Sequence, residues 1–180
     1  MRRDIVSMRS AALLLPSVAV MATWISACSS EECLENKNSL PLAGFYASQP
    51  VPEAISLDSL TIYGLGAPGD SLLHDSVRNI SQTYLPFRID EERSSFVIRY
   101  LQEPFGDIGL ADTITFRYDI IPYFVSSACG AVYEYRMRSI ATTKHLIDSV
   151  TCPEGIITNM NAENIRIYFR VALSDEDQEN

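Results

Sequence analysis

The chain has 180 residues, with 14 Lys and Arg against 23 Asp and Glu, so its formal net charge is −9. This charge argues against nucleic-acid binding, which needs Lys and Arg side chains to neutralise phosphates. The length suits a single domain with a substantial core, because a chain of about 150 residues buries roughly 70% of its unfolded surface.

The start of the chain has the pattern of a secretory signal. Three arginines precede an uncharged, mostly apolar stretch at residues 11–24. A basic start followed by a short apolar stretch is typical of a signal peptide. The stretch is shorter than the about 20 apolar residues that a spanning helix needs, and Pro16 interrupts it. We therefore expect a signal peptide at residues 1–27, with translation starting at Met1 or at Met8.

The apolar stretch ends in Ile25-Ser26-Ala27-Cys28. This tetrapeptide resembles the bacterial lipobox, in which an aliphatic residue and two small residues precede a cysteine. The resemblance implies lipidation of Cys28 and cleavage before it. Three acyl chains anchor a protein firmly, whereas one chain holds weakly. An ordinary signal peptide followed by an incidental cysteine is the alternative.

Residues 28–40 are predicted to form a lipidated tether. The acidic pair Glu31-Glu32 resembles the export signal of surface lipoproteins in Bacteroidetes-type bacteria. The resemblance implies an outer membrane lipoprotein on the cell surface, and the periplasmic face of the outer membrane is the alternative. Removal of residues 1–27 leaves 11 basic and 22 acidic residues. The lipid at Cys28, and not a basic surface, must then hold the protein on the membrane.

Residues 41–173 are predicted to form a single β domain, followed by an acidic disordered tail at residues 174–180. Alternation is clearest from Asp112 to Ile120, where every second side chain is apolar, and Pro122 predicts the end of this strand. About eight such strands, with no long segment of helical period, predict an all-β antiparallel sandwich. A closed β-barrel is the alternative.

Lipidation of Cys28 would leave Cys33, Cys129 and Cys152. A disulfide is allowed outside the cytoplasm, and three cysteines permit one bridge. We expect the pair Cys33 and Cys129, which would join the tether to a late strand, with Cys129 and Cys152 as the alternative. No metal site is expected, because the chain has no C-x-x-C motif and its two histidines lie far apart in sequence.

Five segments consist of Asp, then Ser or Thr, then an aliphatic residue. They are Asp58-Ser59-Leu60, Asp70-Ser71-Leu72, Asp75-Ser76-Val77, Asp112-Thr113-Ile114 and Asp148-Ser149-Val150. The pattern is similar to the O-glycosylation acceptor of secreted Bacteroidetes-type proteins, which implies possible glycans on the five hydroxyl residues. Asp and Ser are also turn residues that precede strands, so turn chemistry is the alternative explanation.

No catalytic motif is found. Gly64 to Gly69 matches G-x-G-x-x-G literally, but no helix pattern follows it, so no nucleotide cofactor is expected. His74 and His145 have no companion motif, and neither G-x-S-x-G nor H-E-x-x-H occurs. We expect no enzyme activity. The nine tyrosines are expected to be mostly half-buried core residues, and an exposed aromatic row that binds a glycan or a peptide is the alternative.

Several strand segments resemble a family of uncharacterised Bacteroidetes-type lipoproteins. They are Asp58-Ser59-Leu60-Thr61-Ile62-Tyr63, Asp112-Thr113-Ile114-Thr115-Phe116, Ala128-Cys129-Gly130 and Ile165-Arg166-Ile167-Tyr168-Phe169. The resemblance implies a lineage and a compartment but no activity. We expect a membrane-anchored, non-catalytic domain that binds an envelope protein or glycan partner or supports envelope assembly. A small-ligand carrier built as a β-barrel with an apolar cavity is the alternative.

Overall fold

The computed structural model describes residues 39–66, 71–126 and 130–170 of the protein. Every regular element in these ranges is a β-strand. The strands are β1 (Leu42–Ala47), β2 (Leu60–Leu65), β3 (Leu72–Val77), β4 (Gln82–Tyr84), β5 (Arg93–Tyr100), β6 (Ala111–Ser126), β7 (Gly130–Thr142), β8 (Ile147–Thr151), β9 (Ile156–Ile157) and β10 (Glu163–Phe169). None of the described ranges contains a helix with the length and apolar character that a membrane crossing requires.

The strands form two separate sheets. The four-stranded sheet has the order β4-β1-β10-β8, and the six-stranded sheet has the order β3-β2-β5-β6-β7-β9. All pairs are antiparallel except β1 with β10, which are parallel. The predicted all-β sandwich is therefore confirmed. The alternative of a closed barrel is wrong, because each sheet keeps two edge strands of its own.

The core lies between the two sheets. The side chains of Ile114, Phe116 and Tyr118, which the alternation in β6 predicts to point inward, are 0% exposed. They belong to one cluster of buried side chains that comes from both sheets and includes Phe45 of β1. Phe87, in the connection between β4 and β5, stacks on Tyr118 with the ring centroids 4.5 Å apart. Each such buried side chain contributes about 1.5–3 kcal/mol through removal from water.

Strand β6 does not end at Pro122, and that prediction is wrong. The strand continues to Ser126, and Pro122 lies opposite Tyr133 of β7. Strand β5 pairs with β6 only as far as Arg117. Beyond that point the other edge of β6 has no strand partner in the described ranges. Proline is tolerated on such an edge, because no ladder bond needs its missing N–H.

The distal halves of β6 and β7 form a two-stranded arm. We define the β6–β7 arm as residues 119–126 and 130–134. Strand β9 pairs with β7 only at Tyr135 and Arg136, so within the described residues no third strand flanks the arm on either side. Eight residues of extended chain make the arm about 26 Å long.

Candidate functional site

The most elaborate polar site surrounds Asp112 of β6, whose side chain is completely buried. Its carboxylate accepts five hydrogen bonds. Oδ1 accepts from Thr143 Oγ1 at 2.7 Å and from the His145 amide at 2.9 Å. Oδ2 accepts from Tyr100 Oη at 2.9 Å, from the Leu146 amide at 2.8 Å and from the Ile147 amide at 3.0 Å. The site joins β6 of the large sheet to the segment that enters β8 of the small sheet.

The hydrogen bonds keep Asp112 ionised. Burial alone would raise its pKa, but the backbone amides of His145, Ile147 and Leu146 and the Thr143 hydroxyl outweigh burial and lower the pKa of the carboxyl. A fully buried carboxylate with all these donors on it is an unsuitable general base, because no substrate proton can reach it. The geometry is that of a structural junction between the sheets.

The two histidines have local partners and are not brought together. His74 Nε2 lies 2.9 Å from Thr83 Oγ1, beside the edge of the large sheet. His145 Nδ1 lies 2.9 Å from the carbonyl oxygen of Ala111 and 3.4 Å from Asp112 Oδ1. Among the residues that the structure describes, no three His, Cys, Asp or Glu side chains are grouped to hold a metal ion.

Cys152 is a free, half-buried thiol. Burial raises the pKa of this thiol, so it is protonated and unreactive near neutral pH. The alternative pair of Cys129 and Cys152 stays a prediction, because Cys129 lies outside the described residues. The predicted partners Cys33 and Cys129, and the lipidation site Cys28, lie outside the described residues, as do the predicted signal peptide at 1–27 and the tail at 174–180.

The five predicted glycosylation sites differ in exposure. Ser71 and Ser76 are exposed, whereas Ser59, Thr113 and Ser149 are half-buried. Ser59 and Ser76 have left-handed φ angles of 55° and 50°. Such an angle fits a turn at Ser59, which directly precedes β2, whereas Ser76 lies within β3, where the pairing with β2 is irregular. Glycosylation stays a prediction at all five positions.

Three of the aspartates in the same motifs have structural partners. Asp112 is the junction described above. Asp58 Oδ1 accepts a hydrogen bond of 2.5 Å from the amide of Asn79, and Asp148 Oδ2 accepts one of 2.8 Å from the hydroxyl of Ser48. Of the three, Asp112 is completely buried, so an enzyme that recognises it would have to act before the chain folds.

A cleft of about 320 Å³ opens at one end of the sandwich. Its lining is mostly apolar and comprises Leu57, Asp58, Leu60, Tyr100, Gln102, Phe105, Leu146, Phe169 and Arg170. Tyr100 and Leu146 also donate to Asp112, so the buried junction supports one wall of this end cleft. The volume is at the lower limit of ligand pockets and suits a small apolar group.

Three of the tyrosines do not belong to an exposed aromatic row. Tyr100, Tyr118 and Tyr135 are core residues, and burial raises the pKa of each of their hydroxyls. The most exposed tyrosine of the large sheet is Tyr123, on the β6–β7 arm.

A polar aromatic cluster that the sequence did not reveal lies on the outer face of the small sheet. Tyr46 donates to both carboxylate oxygens of Glu163, at 2.8 and 2.9 Å, and Arg166 lies over the Tyr46 ring at 5.5 Å. The Tyr168 ring is 5.8 Å away. Parallel pairing of β1 with β10 brings these residues together, so no local sequence pattern predicts the cluster. A Cβ atom on Gly44 would overlap the Glu163 carboxylate.

The β6–β7 arm exposes two large aromatic side chains. Tyr123 is 55% exposed and Phe124 is 67% exposed. They lie on opposite faces of the arm, because successive side chains of a strand alternate. On the face of Phe124, Pro122 lies opposite Tyr133 and Phe124 lies opposite Ala131, so these four residues give the face a largely apolar surface.

Comparison with known proteins gives a family but no function. No curated protein and no solved structure matches the chain. The model of a family of unknown function, DUF6452, matches residues 59–169, which include β2 to β10 and the Asp112 junction. This match spans well over half of the sequence, and the protein therefore belongs to the DUF6452 family.

Proposed function

We propose that this protein is an outer membrane lipoprotein of Bacteroidetes-type bacteria whose β-sandwich acts as a non-catalytic binding or assembly domain. The sequence pattern at residues 1–28 supports the anchor. Strand β1 begins at Leu42, 14 residues after Cys28. A tether of that length spans at most about 50 Å. The sandwich would therefore work close to the membrane.

The β6–β7 arm carries the proposal of a binding role. A two-stranded ribbon is marginally stable alone, and its edges pair readily with another strand. The arm also holds Tyr123 and Phe124 in solvent, and aromatic side chains of this kind dominate protein contacts. A partner that covers the arm would bury apolar surface and satisfy free backbone groups together.

The anchor is tested by metabolic labelling with palmitate in a bacterium of this type. We expect label on the wild-type protein and on Cys152→Ala, and none on Cys28→Ala, because only the Cys28 thiol would carry lipid. Cys152→Ala is the matched control for loss of a cysteine. Label that persists in Cys28→Ala would contradict the anchor.

The side of the membrane is tested by protease treatment of intact cells. Cleavage in intact cells places the domain on the surface. Cleavage only after the outer membrane is permeabilised places it on the periplasmic face. The readout is the loss of an epitope tag added at the C-terminus. The sandwich itself is a poor readout, because a tightly folded domain resists protease on the cell surface and on the periplasmic face alike.

The arm is tested by photo-crosslinking in living cells from a probe at Ala131. We expect a discrete crosslinked product that disappears in Tyr123→Ser/Phe124→Ser. The control Leu72→Ser/Ile89→Ser removes two apolar side chains that are 56% and 54% exposed elsewhere. Equal loss of the product in both variants would indicate general hydrophobic contact and would contradict the arm as the binding surface.

A second candidate function rests on the end cleft. The closed barrel of a carrier is absent, but the cleft offers an apolar volume of about 320 Å³ between the sheets. We expect Leu57→Trp, which fills the cleft, to abolish binding of an apolar fluorescent probe if the cleft holds ligand. Unchanged probe binding would remove this candidate.

A further inference from the structure

Arginine side chains concentrate on the outer face of the six-stranded sheet. Five arginines occupy outward positions on β5, β6 and β7, and all five are exposed: Arg93, Arg99, Arg117, Arg136 and Arg138. We call these strands' solvent side the outer arginine face. Only Asp119 and Glu134 are acidic at outward positions of the same three strands. The sequence from Cys28 onward has just 11 basic residues, so nearly half of them lie on this one face.

Two of these arginines are direct neighbours across the sheet. Arg93 of β5 lies opposite Arg117 of β6, and Ser139 of β7 follows in the same row. Arg138 precedes Ser139 at a bulge and binds Asp119. Like charges that face each other on adjacent strands destabilise a sheet. In the described part of the chain, no carboxylate contacts Arg93 or Arg117, so their repulsion is not relieved.

The surface between the arginines carries hydroxyl groups. The hydroxyls of Ser95 and Thr115 lie 2.9 Å apart between β5 and β6. A shallow groove of about 340 Å³ adjoins the face, and Arg93 and Ser95 line it beside Arg88. Arg88 itself binds Asp90 and Glu91, at 2.8 and 3.1 Å. A flat surface with an adjoining groove suits an extended ligand better than a compact one.

We propose that the outer arginine face binds an acidic polysaccharide that carries carboxylate groups. Guanidinium groups recognise carboxylates through paired hydrogen bonds, and the Ser and Thr hydroxyls can bind sugar hydroxyls. A bound polyanion would also relieve the repulsion between Arg93 and Arg117. Single-stranded nucleic acid fits less well, because it needs exposed aromatic rings beside the cationic groups for base stacking, and the exposed Tyr123 lies six residues along β6 from Arg117. Tyr63, opposite Val97 of β5, is half-buried.

The test measures binding of the purified full chain in detergent to polygalacturonate by calorimetry, with neutral dextran as the reference. We expect Arg93→Gln/Arg117→Gln to weaken binding about tenfold or more at low salt, since two charge-assisted contacts are lost. The control Arg78→Gln/Lys144→Gln makes the same change in net charge at exposed positions on other parts of the surface. We expect the control to weaken binding less than about threefold, because distant charges are screened.

Thermal unfolding separates binding from folding. In the absence of ligand, Arg93→Gln/Arg117→Gln should be at least as stable as the wild type, since it removes a repulsive pair. A large loss of stability would make these arginines structural and overturn the proposal.

Three binding results would also overturn it: no binding to polygalacturonate above dextran, equal weakening in the control variant, or equally tight binding of an oligothymidylate with the same dependence on Arg93 and Arg117. The variants change Arg93 and Arg117, which lie outside the β6–β7 arm and away from Cys28, so the outcome is independent of the function proposed above.

Discussion

The Asp112 junction gives the sharpest prediction about the fold, through the substitution Asp112→Asn. Asparagine has nearly the same shape, but one carboxylate oxygen becomes an NH2 group that donates instead of accepting. If the amide oxygen takes the place of Oδ2, the NH2 group faces the Thr143 hydroxyl and the His145 amide. The hydroxyl can turn and accept, but the backbone amide cannot.

The cost follows from these contacts. One buried amide without an acceptor costs about 1–3 kcal/mol, and the remaining bonds lose the strengthening that a charged acceptor gives. We expect Asp112→Asn to lower the free energy of unfolding by about 3–4 kcal/mol. For a domain of this size, that lowers the melting temperature by roughly 10 °C.

Chemical denaturation at pH 7 measures the effect. The control is Asp75→Asn at an exposed position, which we expect to change the free energy of unfolding by less than about 0.5 kcal/mol. Tyr100→Phe removes one of the five donors and leaves the carboxylate in place. It should cost about 1–2 kcal/mol, between the other two variants.

The pH dependence has a definite sign. The pKa of Asp112 is lower in the folded chain than in the unfolded chain. Its stabilising contribution is therefore complete above the ordinary aspartate pKa, near 3.9, and is lost as pH falls through the folded pKa. The difference between wild type and Asp112→Asn should be constant at neutral pH and should narrow in acid. A variant as stable as the wild type at pH 7, or a difference that grows in acid, would refute the reasoning.

Three further predictions concern the rest of the sandwich. Phe87→Ala should cost about 3–5 kcal/mol in denaturant, because the Phe87 ring packs against several core aromatics, and a cost below 1 kcal/mol would show that the core closes around the gap. Gly44→Ala should lower the free energy of unfolding by about 1–2 kcal/mol, because the new methyl group displaces the Glu163 carboxylate from Tyr46. The loss should be smaller when Glu163→Ala is already present, and equal losses in both backgrounds would contradict the overlap. Burial raises the pKa of Tyr135 to about 12, so its phenolate absorbance should appear well above pH 10 or with alkaline unfolding, and Tyr135→Phe should leave the native titration near pH 10 unchanged.

The sequence predicted the faces of the main strand because alternation is a local property. Ile114, Phe116 and Tyr118 point inward as their spacing indicates. The end of β6 was mispredicted at Pro122, since whether a proline breaks a strand depends on whether a neighbour pairs with that edge. The sequence predicts about eight strands, whereas the described ranges contain ten, and the two shortest, β4 and β9, are too short to leave a pattern.

The role of Asp112 could not be predicted, because its donors come from far along the chain. The backbone amides that bind it lie 33 to 35 residues away, and Tyr100 lies 12 residues away. Locally, Asp112-Thr113-Ile114 looks the same as Asp75-Ser76-Val77, which is exposed at its first two residues. The difference between a buried junction and an exposed edge strand arises only from the packing of the two sheets.

The outer arginine face also depends on contacts between strands that are distant in sequence. Alternation places Arg93 and Arg117 on the solvent side of their strands, which is predictable. Their opposition depends on the register between β5 and β6, and a shift of one residue would move every side chain of a strand to the other face. The buried face fixes this register, because Phe96 must meet Ile114 in the core. The repulsive arginine pair is thus held in place by apolar contacts on the opposite side of the sheet.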